Sequence, residues 1–217
     1  MMAGLLMKDL RLTMMQKNTL LMVGIIAVIV VIGEGDPGFV ITYLTFIGVL
    51  YTMNTLSYDG ADNGNAFLFS LPITRAGYVM EKYVFGLLGG SALWLFGVAL
   101  AYTVNALKNV PFSEEIMMNA FVALLMPVFV LAFLLPIELK FGAEKARIMI
   151  VVISCLLFVV GMLVAKTGKS IYPALMAWFG KIEERPELAA GASLAAGIAL
   201  LGVSCRISIG IMNKKEF

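Results

Sequence analysis

Histidine is missing altogether from the 217 residues. With it go the commonest general base and the commonest metal ligand. Cysteine occurs twice, as Cys155 and Cys205, each inside an apolar run. Both read as small buried hydrophobes and not as a disulfide framework. A glycine-rich phosphate loop of the form GxxxxGK[ST] occurs nowhere, so no nucleotide site of that kind is expected. No carboxylates cluster. The expectation is therefore no catalytic residue, no metal site and no cofactor of the chain's own. Charge is also scarce, at 14% against about 25% in soluble domains. The net charge of +2 gives no footprint for nucleic acid.

What fills the chain instead is apolar: 61% of residues are hydrophobic. Such a composition leaves too little polar side chain to coat a soluble fold of this size, and places the chain in the membrane class. A helical span needs about 20 mostly apolar residues. Runs free of Asp, Glu, Lys and Arg predict six spans, at about 18–33, 37–58, 83–107, 116–137, 148–165 and 188–212, the last continued past Arg206. The expected architecture is an all-α membrane protein in one domain. No charge lies deep in a span, which weighs against a proton- or ion-driven carrier.

Lysine and arginine set the expected orientation. Eleven basic residues fall on the side shared by both termini and five on the other. Both termini are thus expected in the cytoplasm. The loop at 166–187, with Lys166, Lys169, Lys181 and Arg185, is the discordant external piece. Its Tyr172, Trp178 and Phe179 suit a membrane–water boundary. The N-terminal basic residues and apolar run also resemble the first parts of a signal peptide. The ending VIGEGDPG lacks small residues at the paired cleavage positions, so retention is expected.

Residues 1–17 predict a helix lying at the interface, with Lys8 and Arg11 on one side and Met2, Leu6, Leu10 and Met14 on another. Asp9 intrudes on the apolar arc. The alternative is a simple extension of the first span. Gly86, Gly89, Gly90 and Gly97 in span three allow close helix approach, within one chain or between two copies. Pro127 and Pro136 predict kinks in span four, and Ser113 before Glu114 and Glu115 reads as its N-cap.

Between spans two and three stands FLFSLPITRAGYVMEKY, Phe67 to Tyr83. FLFSL is apolar but too short to span. Leu71-Pro72 breaks regular structure, and Thr74 can cap a helix running on into span three. The segment 59–82 thus predicts a cytoplasmic elbow with exposed apolar side chains, which need a partner.

The residues YDGADNGNAFLFSLPITRAGYVMEKY resemble the loop between spans two and three of small ABC-2 superfamily permeases, through Asp59, Ser70, Leu71, Pro72, Ile73, Thr74, Arg75, Val79, Lys82 and Tyr83. GLLMKDLRL is similar to the family's N-terminal helix. SCRISIGIMNKKEF, with Ser204 and Ser208, is similar to its ending. Gly60, Ala61 and Gly64 depart from the family's charged and aromatic pattern, and Gly77 replaces an acid that would complete a capping box.

The resemblance implies a six-span membrane subunit of an ABC exporter, similar to peptide and toxin exporter permeases of Gram-positive bacteria. It would sit multi-pass in a bacterial cytoplasmic membrane and pair with a second copy. Two permeases would dock on two separate ATPase subunits, which bind the ATP. The elbow residues expected to couple to the ATPase are Asp59, Phe67, Leu68, Phe69, Leu71, Pro72, Thr74 and Arg75, with a second cytoplasmic contact at Lys140, Glu144, Lys145 and Arg147. An amphipathic or hydrophobic cargo, peptide or lipid-like, fits the apolar spans. The competing class is a membrane scaffold or sensor whose elbow binds another cytoplasmic partner.

Overall fold

A computed structural model describes residues 2–33, 35–61, 64–111, 113–146, 148–149, 151–152, 155 and 186–215. Among these the long elements are all helices: α1 Met2–Met15, α2 Lys17–Ile32, α3 Pro37–Gly60, α4 Gly64–Ser70, α5 Arg75–Leu107, α6 Glu114–Phe141 and α7 Pro186–Asn213. Four helices are long and apolar enough to cross a membrane: α3, α5, α6 and the 191–213 stretch of α7. The bent pair α1–α2 makes a fifth if it counts as one span. Alone, α2 has 16 residues, about 24 Å at 1.5 Å per residue, against a hydrocarbon core of about 30 Å. Most of the expected fifth span and nearly all of the loop at 166–187 lie outside the described residues.

The helix starts follow from local chemistry. Asp36 caps α3 by accepting from the amides of Gly38 at 2.8 Å and Phe39 at 3.2 Å, with Pro37 in the first turn, where its missing N–H costs nothing. Ser113 accepts from Ile116 N to start α6, and Glu114 and Glu115 follow in its first turn. That helix continues through both Pro127 and Pro136 and ends at Gly142, whose φ of 79° suits glycine. At Gln16 the chain turns 67° between α1 and α2, so α1 is not a straight extension of the first span.

α3 is the central post, with α5 and α6 against it and α7 against α6. Glycine allows this closeness. A Cβ on Gly48 would come within 2.5 Å of the Gly89 carbonyl oxygen. One on Gly86 would meet Leu131 of α6 at 2.5 Å, one on Gly90 would meet Pro127 at 2.8 Å, and one on Gly97 would meet the Ile41 Cα at 3.1 Å. The glycine line of span three is therefore spent on packing inside this chain, on both α3 and α6.

One end of the bundle gathers α1, α4, the start of α5 and the ends of α3, α6 and α7. We call it the basic end. At the opposite end Lys108 Nζ donates to the carbonyls of Val31 at 3.1 Å and Ile32 at 3.2 Å. A cation there satisfies the last carbonyls of α2 and opposes its dipole.

Gly48→Val is expected to destabilise the bundle by about 1–3 kcal/mol, as overpacking does. For a chain of this size that is about 2–4 °C of unfolding midpoint per kcal/mol. Gly202→Ala, with nothing within 4 Å of the added carbon, should leave the midpoint unchanged. Thermal unfolding in detergent compares the two; equal midpoints would contradict the close contact.

Candidate functional site: the elbow and its buried ion cluster

The elbow begins with α4, seven residues that expose one side and bury the other. Phe67 is 71% exposed, and Leu71 and Pro72 are exposed beside it. Leu68 is only 8% exposed and belongs to the core shared with Leu56, Leu139 and Met212. Phe69 meets Tyr78 edge-on, with ring centroids 5.5 Å apart. The apolar elbow residues expected to meet a partner, Phe67, Leu68, Phe69, Leu71 and Pro72, are thus divided. Phe67, Leu71 and Pro72 point away from the body, while Leu68 and Phe69 pin α4 to it.

Thr74 restarts the helix as expected. Its hydroxyl accepts from Gly77 N at 3.1 Å, so the cap forms without the acid that a capping box would place at Gly77. Arg75 donates from Nη1 to the carbonyls of Met212 at 3.0 Å and Asn213 at 2.7 Å. It satisfies the end of α7 and opposes that helix's negative pole. This contact joins residues 138 apart in sequence.

Behind the elbow lies a cluster of charges that sequence reading placed in separate segments. Lys82 is fully buried in α5. Its ammonium lies 2.5 Å from Asp9 Oδ2 of α1 and 2.7 Å from Asp59 Oδ2 of α3, and it donates to Thr55 Oγ1 at 3.2 Å. Lys8 pairs with Asp59 and lies 3.1 Å from Asp9. Tyr78 donates its hydroxyl to Asp59 Oδ2 at 3.0 Å, and the Lys82 ammonium lies 5.3 Å from the Tyr78 ring centre. Buried ions need pairing and hydrogen bonds to offset their lost hydration, and each of these four has a partner of opposite sign.

Asp59 is therefore an internal anchor, not an outward contact: only 6% of it is exposed. Asp9 was not singled out as a site residue, yet it is the buried face of α1 together with Leu5. The signal was its intrusion on an apolar arc. An acid there needs a cation, and α5 supplies it. The apolar residues Met2, Leu10 and Met14 face away from the body instead. Lys82, counted above as a loop charge, lies inside α5.

A second polar link closes the same end. The Tyr83 hydroxyl lies 2.6 Å from Ser204 Oγ and 2.9 Å from Ser208 Oγ, and Ser204 donates to the Ala132 carbonyl at 2.6 Å. The N-terminal motif, the elbow motif and the C-terminal serines, far apart in sequence, thus meet at one end of the bundle. Lys140, Glu144 and Lys145 lie exposed at that end. Arg147 falls outside the described residues. Among the described residues no group of three or more potential ligands could hold a metal.

Glu81 is the odd acid. It is fully buried, 4.0 Å from Lys82, and neither carboxylate oxygen has a hydrogen-bond partner. Three carboxylates thus surround two lysines. Lys82→Met, which leaves the two buried carboxylates of Asp9 and Asp59 to share the partly exposed Lys8 alone, is expected to cost about 3–5 kcal/mol. Glu81→Gln removes the surplus charge beside Asp9 and keeps a group that can donate to it, so it should be neutral or stabilising. Unfolding midpoints of the two variants in detergent check the pair. A Glu81→Gln loss as large as that of Lys82→Met would contradict this accounting.

Searches of curated proteins and of solved structures each gave no significant match. A family profile described as ABC-2 family transporter protein matches residues 4–213. That range takes in α1, the elbow, the ion cluster and the end of α7, so the chain belongs to the ABC-2 transporter family and is a multi-pass membrane protein.

Proposed function

We propose that the chain is the permease subunit of an ABC exporter, powered by a separate ATPase that docks on the elbow. One observation carries the reading: Phe67 stands 71% exposed on a helix whose other face is anchored in the core. An exposed aromatic beside Leu71 and Pro72 is an apolar knob. Its backing by Leu68, Phe69 and Tyr78 makes it a firm one. A push on α4 passes through Phe69 to Tyr78, and from there to Asp59, Lys82 and the N-terminal helix.

In this reading the basic end faces the cytoplasm, in a bacterial cytoplasmic membrane, with both termini on that side. Six spans cross the bilayer, with the external loop at 166–187. Two permeases assemble with two ATPases, and the ATP is bound by those partners. Lys140, Glu144 and Lys145, with Arg147, add a second, charged contact. Asp59 and Arg75 act indirectly, since their side chains are engaged within the chain. The cargo is amphipathic or hydrophobic.

The test is capture of the ATPase encoded beside this chain. The double variant Phe67→Asp with Leu71→Asp should reduce co-purification at least about tenfold, as loss of an apolar hot spot does, while leaving the unfolding midpoint unchanged. Leu68→Asp should lower the midpoint and is not a clean probe of docking. Undiminished capture by the folded double variant rejects the elbow as the docking site.

A further inference from the structure

A groove of about 720 Å³ opens between α6 and α7 at the basic end, within the size range of ligand sites. One polar tie joins the two helices before it. Pro136 has no N–H to give the Ala132 carbonyl four residues earlier, and Ser204 of α7 donates to that carbonyl instead, at 2.6 Å. Beyond this tie, toward the helix ends, Pro136 and Ile137 form one wall of the groove, and Ile207 and Ile211 the other. Gly210 lines it on α7, and a Cβ built there meets nothing within 4 Å. Ile207 is 53% exposed. The groove is therefore open to what surrounds the bundle, and around a spanning helix that is lipid.

Three lysines stand at this groove: Lys140, one turn past Pro136, and Lys214 and Lys215, just past the end of α7. The Lys140 ammonium lies 5.0 Å from the ring centre of Phe141, which also lines the groove. Lysines at helix C-termini often serve only the helix dipole. Here α7 is served otherwise. Arg75 holds the Met212 and Asn213 carbonyls, and the amides of Lys214 and Lys215 return to Ile211 and Met212. The apolar walls suit the acyl chain of any lipid, so the lysines choose among heads. Lysines at span ends reach the level of the head groups. A phosphate there meets three ammonium groups, while a zwitterionic head brings its own ammonium against them. Basic pockets between spanning helices hold anionic lipid heads in this way. We infer that the α6–α7 groove binds an anionic phospholipid, its phosphate on Lys140, Lys214 and Lys215 and an acyl chain along Ile207, Gly210 and Ile211. The binding does not rest on the exporter reading. Lys140 also stands in the charged contact proposed above for the ATPase, so the test turns on Lys214 and Lys215, which do not.

The experiment uses the full chain alone, in nanodiscs of phosphatidylcholine. The probe is a phosphatidylglycerol with a photoreactive acyl chain, compared with a phosphatidylcholine carrying the same chain, and labelled residues are mapped by mass spectrometry. Each lysine near a membrane surface favours an anionic head by about fivefold. Labelling of the 136–141 and 207–211 stretches by phosphatidylglycerol should therefore exceed that by phosphatidylcholine more than about tenfold. Plain phosphatidylglycerol should displace the probe, and glycerol phosphate, a head without chains, should not. Lys214→Gln with Lys215→Gln should reduce the preference to about fivefold or less. Gly210→Phe, which fills the groove, should abolish labelling there and leave the unfolding midpoint unchanged. Equal labelling by the two lipids, or labelling unchanged in either folded variant, overturns the proposal. Displacement by glycerol phosphate assigns the site to a soluble phosphate and overturns it too. If the double lysine variant keeps its lipid preference but loses ATPase capture, the groove belongs to the ATPase and the lipid proposal falls. A chain that prefers phosphatidylglycerol but captures no ATPase fails the docking reading alone.

Discussion

One ammonium group holds the basic end together. Lys82 sits between Asp9 of α1 and Asp59 of α3 while belonging to α5, so three separate stretches of chain share one counter-ion. Apolar packing could hold these helices at many rotations, because Leu and Val make few geometric demands. A buried ion pair tolerates few. Displacing any of the three helices takes from a buried ion one of the partners that offset its lost hydration, and that penalty exceeds most single apolar contacts. The cluster therefore specifies where α1 lies more than it adds stability, a role buried polar groups have in other helical assemblies.

This explains how the elbow can be both exposed and firm. A seven-residue helix has little stability alone. α4 holds because Leu68 enters the core and Phe69 meets Tyr78, which is itself fixed by Asp59. The outward side chains then stand on a base whose position is set by ions. Membership of the ABC-2 transporter family gives this arrangement its context: under the docking reading proposed above, a partner ATPase would need a surface that resists deformation.

Much of this was legible from residues alone. Thr74, Ser113 and Asp36 were readable as helix starts because capping is local, a matter of three or four residues. The class of the protein followed from its lack of charge. The burial of Asp9 and Lys82 was not legible in the same way. Counting charges along a chain treats each as solvated, and pairing across 73 residues leaves no periodic trace. Arg75 looked available for a partner because its acceptors are backbone carbonyls at the far end of the chain, which carry no residue signature. Leu68 and Phe69 were read as exposed with Phe67 because a single helical turn is too short to show which side faces in. The glycines of α5 announced close packing but not their partner, which only the fold identifies.

The contact of Gly48 with Gly89 bears on how such a bundle can move. Two helices touching through side chains can slide as those side chains change rotamer. Two touching backbone to backbone have nothing between them to yield, and so α3 and α5 behave as a single lever. Compliance must then sit elsewhere. The 67° corner at Gln16 is the joint next to that lever: α2 starts there without a side-chain cap, and, among the described residues, the Gln16 side-chain amide holds to α3 through Asn54 and Tyr58 alone. This corner divides a helix tied to the lever by ions from one tied to it by apolar contact and, at its far end, by the Lys108 ammonium on the Val31 and Ile32 carbonyls.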